Sequence, residues 1–429
     1  MNTRNFTRRD LLKLAAAGVA IGTLPACATI GGRSGGKVVV VGGGWGGATA
    51  AKYLRLWSGG RIDVTLVEPN RSFVSCPISN LVLGGSKTIE ELTTSYDGLR
   101  KHGVNVVHDT VTVIDADKKQ VRLASGGALP FDRAVVSPGI EFMYERVKGM
   151  TLADAETIPH AWKAGAQTVL LRRQLDVIPD GGVVVISVPL APYRCPPGPY
   201  ERACQIAHYL KARKPKSKLI VLDANPDVTS KGPLFKSVWK QDYAGIIDYQ
   251  SNMAVTEVDV KGKRFITNLG DTINGDVLNF IPQQRAANIA RDSGLITAND
   301  RWCEVNWLTL ESIKVPNVHV LGDATMSAPV MPKSGHMANQ HGKAVAAAIV
   351  ELMNGRTPSP PMMANTCYSF VDDKNAIHVA SVHHWVPEKK TMEVVKGAGG
   401  VSGQDRSQWM LEGQYAWGWA QTVWADMLA

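Results

Sequence analysis

The chain has 429 residues, a net charge of +9, 45% hydrophobic and 20% charged residues, and 6 cysteines. These values fit a globular protein of two or three domains and exclude a disordered or fibrous chain. The basic charge is spread without a polybasic run, which argues against a nucleic-acid partner, and no apolar stretch is long enough to read as a transmembrane segment.

Residues 1–28 read as a signal peptide. Thr7-Arg8-Arg9-Asp10-Leu11-Leu12-Lys13 carries the twin arginines of the export route for folded proteins, and the apolar run from Leu14 to Leu24 is too short to span a bilayer. A periplasmic location follows as an expectation. Ala26-Cys27-Ala28 fits a peptidase site, whereas Leu24-Pro25-Ala26-Cys27 resembles a lipoprotein box, so simple cleavage and a lipid anchor at Cys27 both stay open.

Lys37 to Val41 predicts a strand, Ala48 to Leu56 has helical spacing, and Asp63 to Glu68 predicts a second strand. Between them stands a glycine fingerprint. Gly42 serves the tight turn, Gly44 lets backbone approach a pyrophosphate, and Gly47 lets helix pack on strand. The helix N-terminus offers free amides to phosphates, and Glu68 closes the second strand as a ribose acceptor. Arg133 to Gly139 resembles the returning strand and turn of two-domain flavin disulfide reductases. Asn317 to Ala324 resembles their second flavin motif, with Gly322 and Asp323 beside the ribityl or phosphate end, and the helix from Gly335 to Leu352 would aim its N-terminus at the flavin ring. FAD is therefore the expected cofactor.

Gly181 to Ser187 predicts a buried strand where a reductase would open its nicotinamide domain, yet no second glycine fingerprint follows. Prolines at 189, 192, 196, 197 and 199 remove amide donors and fix φ, so this lobe is expected to keep the fold without binding nicotinamide. Glu201 to Arg213 reads as an amphipathic helix, and the tail carries Trp409, Tyr415, Trp417, Trp419 and Trp424. The fold class is α/β, with two dinucleotide-binding (Rossmann-like) lobes of the glutathione-reductase type and a C-terminal interface domain. FAD-binding parts are expected at 37–152 and 273–360, the second lobe at 153–272, and the interface domain at 361–429.

The cysteines differ in setting. Cys195 sits in the proline-stiffened loop ahead of a helix, where Arg194 and the helix N-terminus would favour a thiolate. Cys367 begins the tail domain, and Cys76 follows the ribose acid closely enough to reach a flavin. Cys204 reads as packing and Cys303 has no assigned role. No cluster has metal-ligand spacing, and CxxCH is missing, so any haem belongs to a partner chain.

Arg194-Cys195-Pro196-Pro197-Gly198-Pro199-Tyr200-Glu201-Arg202-Ala203, Met331-Pro332-Lys333-Ser334-Gly335 and Asn365-Thr366-Cys367-Tyr368 together resemble the flavoprotein subunit of flavocytochrome c sulfide dehydrogenase, from about Lys37 to the aromatic tail. The resemblance implies FAD joined through its 8α-methyl group to Cys76, bordered by Lys333 and Ser334. It also implies a redox disulfide between Cys195 and Cys367, Glu201 as active-site base, sulfide as substrate, and a c-type cytochrome subunit as electron acceptor. Two rival readings are a sulfide:quinone oxidoreductase and a non-catalytic FAD-bearing carrier or assembly subunit.

Overall fold

A computed structural model of the protein describes residues 35–429. The twin-arginine leader and Cys27 lie outside the described residues. In chain order, β1 (Lys37–Val41) leads through the glycine turn into α1 (Trp45–Trp57) and β2 (Asp63–Val67), followed by β3 (Asn105–Val107) and β4 (Arg133–Val136). The second lobe contains β5 (Val183–Val188), α2 (Gly198–Arg213), β6 (Lys218–Asp223), α3 (Gly232–Asp242), β7 (Ile247–Ser251) and β8 (Val277–Phe280). The chain then returns through β9 (Val318–Val320) and α4 (Gly335–Met353). Its last part is β10 (Met362–Phe370), β11 (Ala376–Val386), β12 (Thr391–Val401) and α5 (Trp409–Leu428).

β1 is four valines after a lysine because it is covered on both faces and flanked on both edges. It pairs in parallel with β2 on one side and β4 on the other, and Val38 to Val41 are all buried. The full sheet runs β9, β4, β1, β2, β3, extended beyond β9 by two short antiparallel strands. The second sheet runs β7, β6, β5, β8, all parallel. Here the expected boundary at 272 falls short. β8 pairs with β5, so the second lobe closes only at Phe280, after an intervening three-stranded antiparallel meander.

α2 begins at Gly198, with Pro199 in its first turn, and almost every residue from Gly198 to Leu210 is buried. The expected amphipathic helix is therefore a core helix, enclosed by the sheet, the flavin lobe and β10 together. β10, β11 and β12 form an antiparallel sheet. Alternation along β10 sets Asn365, Cys367 and Ser369 on one face, so a tail cysteine is presented to the other lobes.

Candidate active site

The glycine turn has the shape the fingerprint requires. Gly42 has φ +95°, and a Cβ there would stand 2.4 Å from the Ser137 carbonyl oxygen; one on Gly47 would meet the Gly42 carbonyl oxygen at 1.8 Å. Gly44 is the opposite case, since a Cβ there would meet nothing within 4 Å. The turn is thus packed against the sheet at Gly42 and Gly47 and open at Gly44, on the side where a phosphate would approach backbone. Glu68 closes β2 beside this turn and accepts hydrogen bonds from Gly43 N (2.7 Å) and Asn70 N (2.8 Å). Gly322 N donates to His341 Nδ1 at 3.1 Å. Asp323 lines the adjoining pocket with a buried Oδ1 that has no hydrogen-bond partner in the protein. An orphan carboxylate oxygen and an open glycine edge are what a dinucleotide with ribityl and phosphate groups would complete. The residues present fit FAD.

One pocket, lined by Trp45, Cys76, Arg194, Cys195, Glu201, Asp323, Lys333, Ser334, Cys367 and Trp419 among others, brings together side chains from all three parts of the chain. Cys76 follows the strand Ser72–Val74 in a loop tied by Ser79 Oγ donating to the Cys76 carbonyl oxygen at 2.7 Å. Two residues on, Ile78 is buried with φ +77°, a conformation a β-branched residue adopts only when its surroundings impose it. Cys195 is likewise left-handed, with φ +57°. Its N–H donates to the Lys333 carbonyl oxygen at 2.7 Å, and its own carbonyl oxygen accepts from Gly198 N at 2.8 Å, the first residue of α2. Cys367 donates its thiol hydrogen toward Asn365 Oδ1 at 3.7 Å, and Asn365 also accepts from Ser334 Oγ at 2.5 Å. Ser334 caps α4 by accepting from Met337 N, which fixes the expected helix N-terminus at the pocket. Cys76, Cys195 and Cys367 are unbonded to one another, and the structure does not show the disulfide expected between Cys195 and Cys367.

The electrostatics correct one expectation. Burial pushes the Cys195 thiol well up, with Cys367, Cys76 and Glu201 adding to the rise, and Arg194 opposes them only weakly. The guanidinium is turned instead toward Cys76 Sγ (Arg194 Nη2 at 3.4 Å) and the Trp162 carbonyl oxygen, so it does not make Cys195 the favoured thiolate. Burial also pushes Cys367 up, but Lys231 leads the groups that pull it back. Glu201 is buried, accepting from Phe370 N (2.8 Å) on one oxygen and from Asn80 Nδ2 (2.9 Å) on the other. Burial raises its proton affinity above that of an ordinary glutamate, and it makes no surface ion pair with Arg202. Arg202 instead donates to Asn80 Oδ1 (3.2 Å), Asn279 Oδ1 (2.8 Å) and the carbonyl oxygens of His160 and Ala161. Lys333 is drawn down to about 7 by burial, its ammonium bonded to the carbonyl oxygens of Asp323 and Thr325 and resting 3.8 Å from the Trp302 ring centre.

The other cysteines stand apart. Cys204 is fully buried in α2 and accepts from Trp239 Nε1 at 3.3 Å, the packing role expected of it. Cys303 is also fully buried, and burial lifts its thiol to about 12. Among the described residues no group of three or more His, Cys, Asp or Glu is arranged to hold a metal ion.

Sequence reading missed Asn80, Trp162 and Arg202 in the pocket lining, and also Lys231, which stands behind Cys367. Lys231 caps α3 from a left-handed conformation, and its ammonium donates to the Cys367 carbonyl oxygen, Ser369 Oγ and the Ile377 carbonyl oxygen. No local motif marks it, because its partners lie in β10 and β11. The second lobe adds a consistent detail. Asp223 ends β6, much as Glu68 directly follows β2, but its carboxylate already accepts from Tyr200 OH (2.8 Å), Tyr249 OH (2.9 Å) and Asn225 N (2.9 Å). Two tyrosines of the chain occupy the acceptor that the adenosine ribose of a second dinucleotide would need.

Comparison with known proteins bears on the family and the fold. Residues 168–282 match the model for "Sulfide dehydrogenase [flavocytochrome c] flavoprotein chain, central", residues 359–428 that for "Flavocytochrome c sulphide dehydrogenase, flavin-binding", and residues 36–184 that for "Pyridine nucleotide-disulphide oxidoreductase". The flavoprotein chain of sulfide dehydrogenase [flavocytochrome c] from Chlorobaculum thiosulfatiphilum is 63% identical over 46 residues, 11% of this chain and 94% of that sequence. The mitochondrial sulfide:quinone oxidoreductase of Dictyostelium discoideum is 26% identical over 304 residues, 67% of this chain and 65% of that one, just under two thirds of its length. The crystal structure of the sulfide:quinone oxidoreductase from Aquifex aeolicus superposes with a TM-score of 0.70 at 19% identity, covering 91% of each chain, and so shares the fold. The chain belongs to the family of flavocytochrome c sulfide dehydrogenase flavoprotein chains, built on the pyridine nucleotide-disulphide oxidoreductase fold.

Proposed function

We propose that this chain oxidises sulfide at the Cys195 and Cys367 pair, holds FAD through Cys76, and passes electrons to a c-type cytochrome that carries the haem. The observation that carries the reading is the meeting of Cys195, Cys367, Cys76 and Glu201 in one pocket, although they come from separate parts of the fold. FAD, when bound, supplies an acceptor that takes electrons as a pair and releases them singly. Gly44, Glu68 and Asp323 would hold its dinucleotide, and Lys333 and Ser334 border the same pocket.

In the oxidised chain the two cysteines form a disulfide, which hydrosulfide opens. One cysteine keeps the incoming sulfur as a persulfide, and the other leaves as a thiolate. Glu201 holds and returns protons in this buried space, a task suited to a carboxyl whose proton affinity burial has raised. Its two oxygens are fixed by Phe370 and Asn80, so the carboxyl stays directed at the pocket. Export by the twin-arginine route, proposed from Arg8 and Arg9, suits a chain that must acquire its flavin before leaving the cytoplasm.

The likeness to sulfide:quinone oxidoreductases favours a second reading, in which a quinone takes the electrons. No helix among the described residues is long and apolar enough to cross a membrane. Anaerobic assays of the flavin-loaded chain with sulfide separate the two: rapid reduction of a c-type cytochrome without reduction of a quinone analogue is expected, and the converse would transfer the assignment. A flavin mass retained by the denatured chain is expected at the Cys76 peptide, and its loss on denaturation would exclude the covalent link.

A further inference from the structure

Lys231 is buried, yet the ion pairs among the described residues do not include it. Its three hydrogen bonds go to neutral oxygens: the Cys367 carbonyl at 3.2 Å, Ser369 Oγ at 2.8 Å and the Ile377 carbonyl at 3.2 Å. A cation enclosed in this way needs an anion nearby, because neutral dipoles only partly replace its hydration. The titratable groups that face it are Cys367 on β10, Glu201 on α2, Cys195 in the loop before α2, and Glu412 on α5. Glu201 is itself held where burial disfavours its charge. Cys195 has Arg194 beside it, but that guanidinium is engaged with Cys76 and Trp162. Cys367 is different, for Lys231 donates to its carbonyl oxygen and to Ser369 on the same strand, and among the groups that act on its thiol Lys231 is the foremost that favours the thiolate.

We propose that Lys231 is a positioning residue that makes Cys367 the leaving thiolate when hydrosulfide opens the disulfide, so that the incoming sulfur ends on Cys195. The inference rests on the sulfide reading above and adds its direction. Hydrosulfide attacks the Cys195 sulfur; a new S–S bond forms there as the Cys195 to Cys367 bond breaks. The electron pair of the broken bond stays on Cys367, which is reduced to a thiolate, while the sulfide sulfur is oxidised to the outer persulfide sulfur and keeps its proton. One negative charge enters and one remains, now beside Lys231.

The test follows the two thiols separately. The purified, flavin-loaded chain is reduced and alkylated with iodoacetamide across a pH series, and each cysteine peptide is quantified by mass spectrometry. Cys367 is expected to react ahead of Cys195 near neutral pH. K231Q, which keeps a hydrogen-bond donor but removes the charge, is expected to slow Cys367 roughly tenfold or more, equivalent to about one pKa unit, and to leave Cys195 unchanged. K231R is expected to restore the preference, which a merely structural role for the hydrogen bonds would not require. In a second arm the oxidised chain receives stoichiometric sulfide and is trapped at once, and the extra sulfur is expected on the Cys195 peptide. Equal reactivity in wild type and K231Q, or the extra sulfur on Cys367, overturns the assignment. Alkylation needs no sulfide, so a Lys231-dependent Cys367 preference with no sulfur on either cysteine supports the role of Lys231 and overturns the sulfide reading instead.

Discussion

Cys195 and Glu201 show how far a residue's neighbours can be read from its neighbours in sequence. Arg194 precedes Cys195, and α2 follows it, so a stabilised thiolate is the local expectation. The fold withdraws the arginine to Cys76 and the Trp162 carbonyl and buries the sulfur, and burial outweighs the remaining attraction. Glu201 is adjacent to Arg202 in sequence, but successive helix positions diverge by about 100° and do not face each other. Its carboxyl therefore meets Phe370 of the tail and Asn80 of the flavin lobe. E201Q can still accept from the Phe370 N–H and is expected to fold, while turnover falls about a hundredfold near neutral pH. A rate-versus-pH profile checks this: wild type is expected to show an ionisation that E201Q lacks, and an unchanged profile would remove Glu201 from proton handling. Lys231 was illegible for the same reason that the surroundings of Cys195 were misread. Its sequence setting is a Lys-Gly-Pro turn, and its hydrogen-bond partners lie far off in β10 and β11.

Among the elements, the first βαβ unit was the most legible because its signals are local. Strand, turn, helix and closing acid follow one another within a span where spacing alone fixes their contacts. The turn also allows two glycines to be distinguished. A Cβ on Gly47 has no room beneath the Gly42 carbonyl, so G47A is expected to lose about 1–3 kcal/mol or more of stability by overpacking, measured by urea denaturation. A Cβ on Gly44 meets no protein atom, so G44A is expected to keep the fold while flavin loading falls. Equal effects of the two substitutions on stability would show that Gly44 does not face the cofactor. α2 was legible as a helix but not as a core helix, since its enclosure comes from β10 and the short helix Asn80–Gly84. The three-stranded sheet of the tail was not anticipated at all. Its aromatic residues drew attention to a packed domain, but β10 alternates weakly and its partners are set by register with β11.

At the scale of the molecule, two Rossmann-like lobes and a tail domain enclose one reacting space, and enclosure leaves several histidines neutral. Burial draws His160 down to about 3, His336 to about 4 and His341 to about 3, against 6.5 for an ordinary histidine. Because the unfolded chain binds these protons first, their contribution is intact above about pH 6.5 and is lost as pH falls toward about 4 for His336 and about 3 for His160 and His341. Each is expected to remove up to about 1.4 kcal/mol of stability per pH unit in that window. Unfolding free energies from urea titrations at successive pH values check the slope, and a flat profile would show that these histidines are not neutral in the fold. The second lobe keeps its sheet, while Tyr200 and Tyr249 occupy its ribose acid, which suits the proposed entry of electrons at the cysteine pair rather than from a nicotinamide. That arrangement is tested most directly by adding sulfide anaerobically to the flavin-loaded chain and following the flavin absorbance in wild type and C367S. Bleaching in wild type and its loss in C367S is the expected result; equal bleaching in both would contradict a reaction that begins at the Cys195 and Cys367 pair.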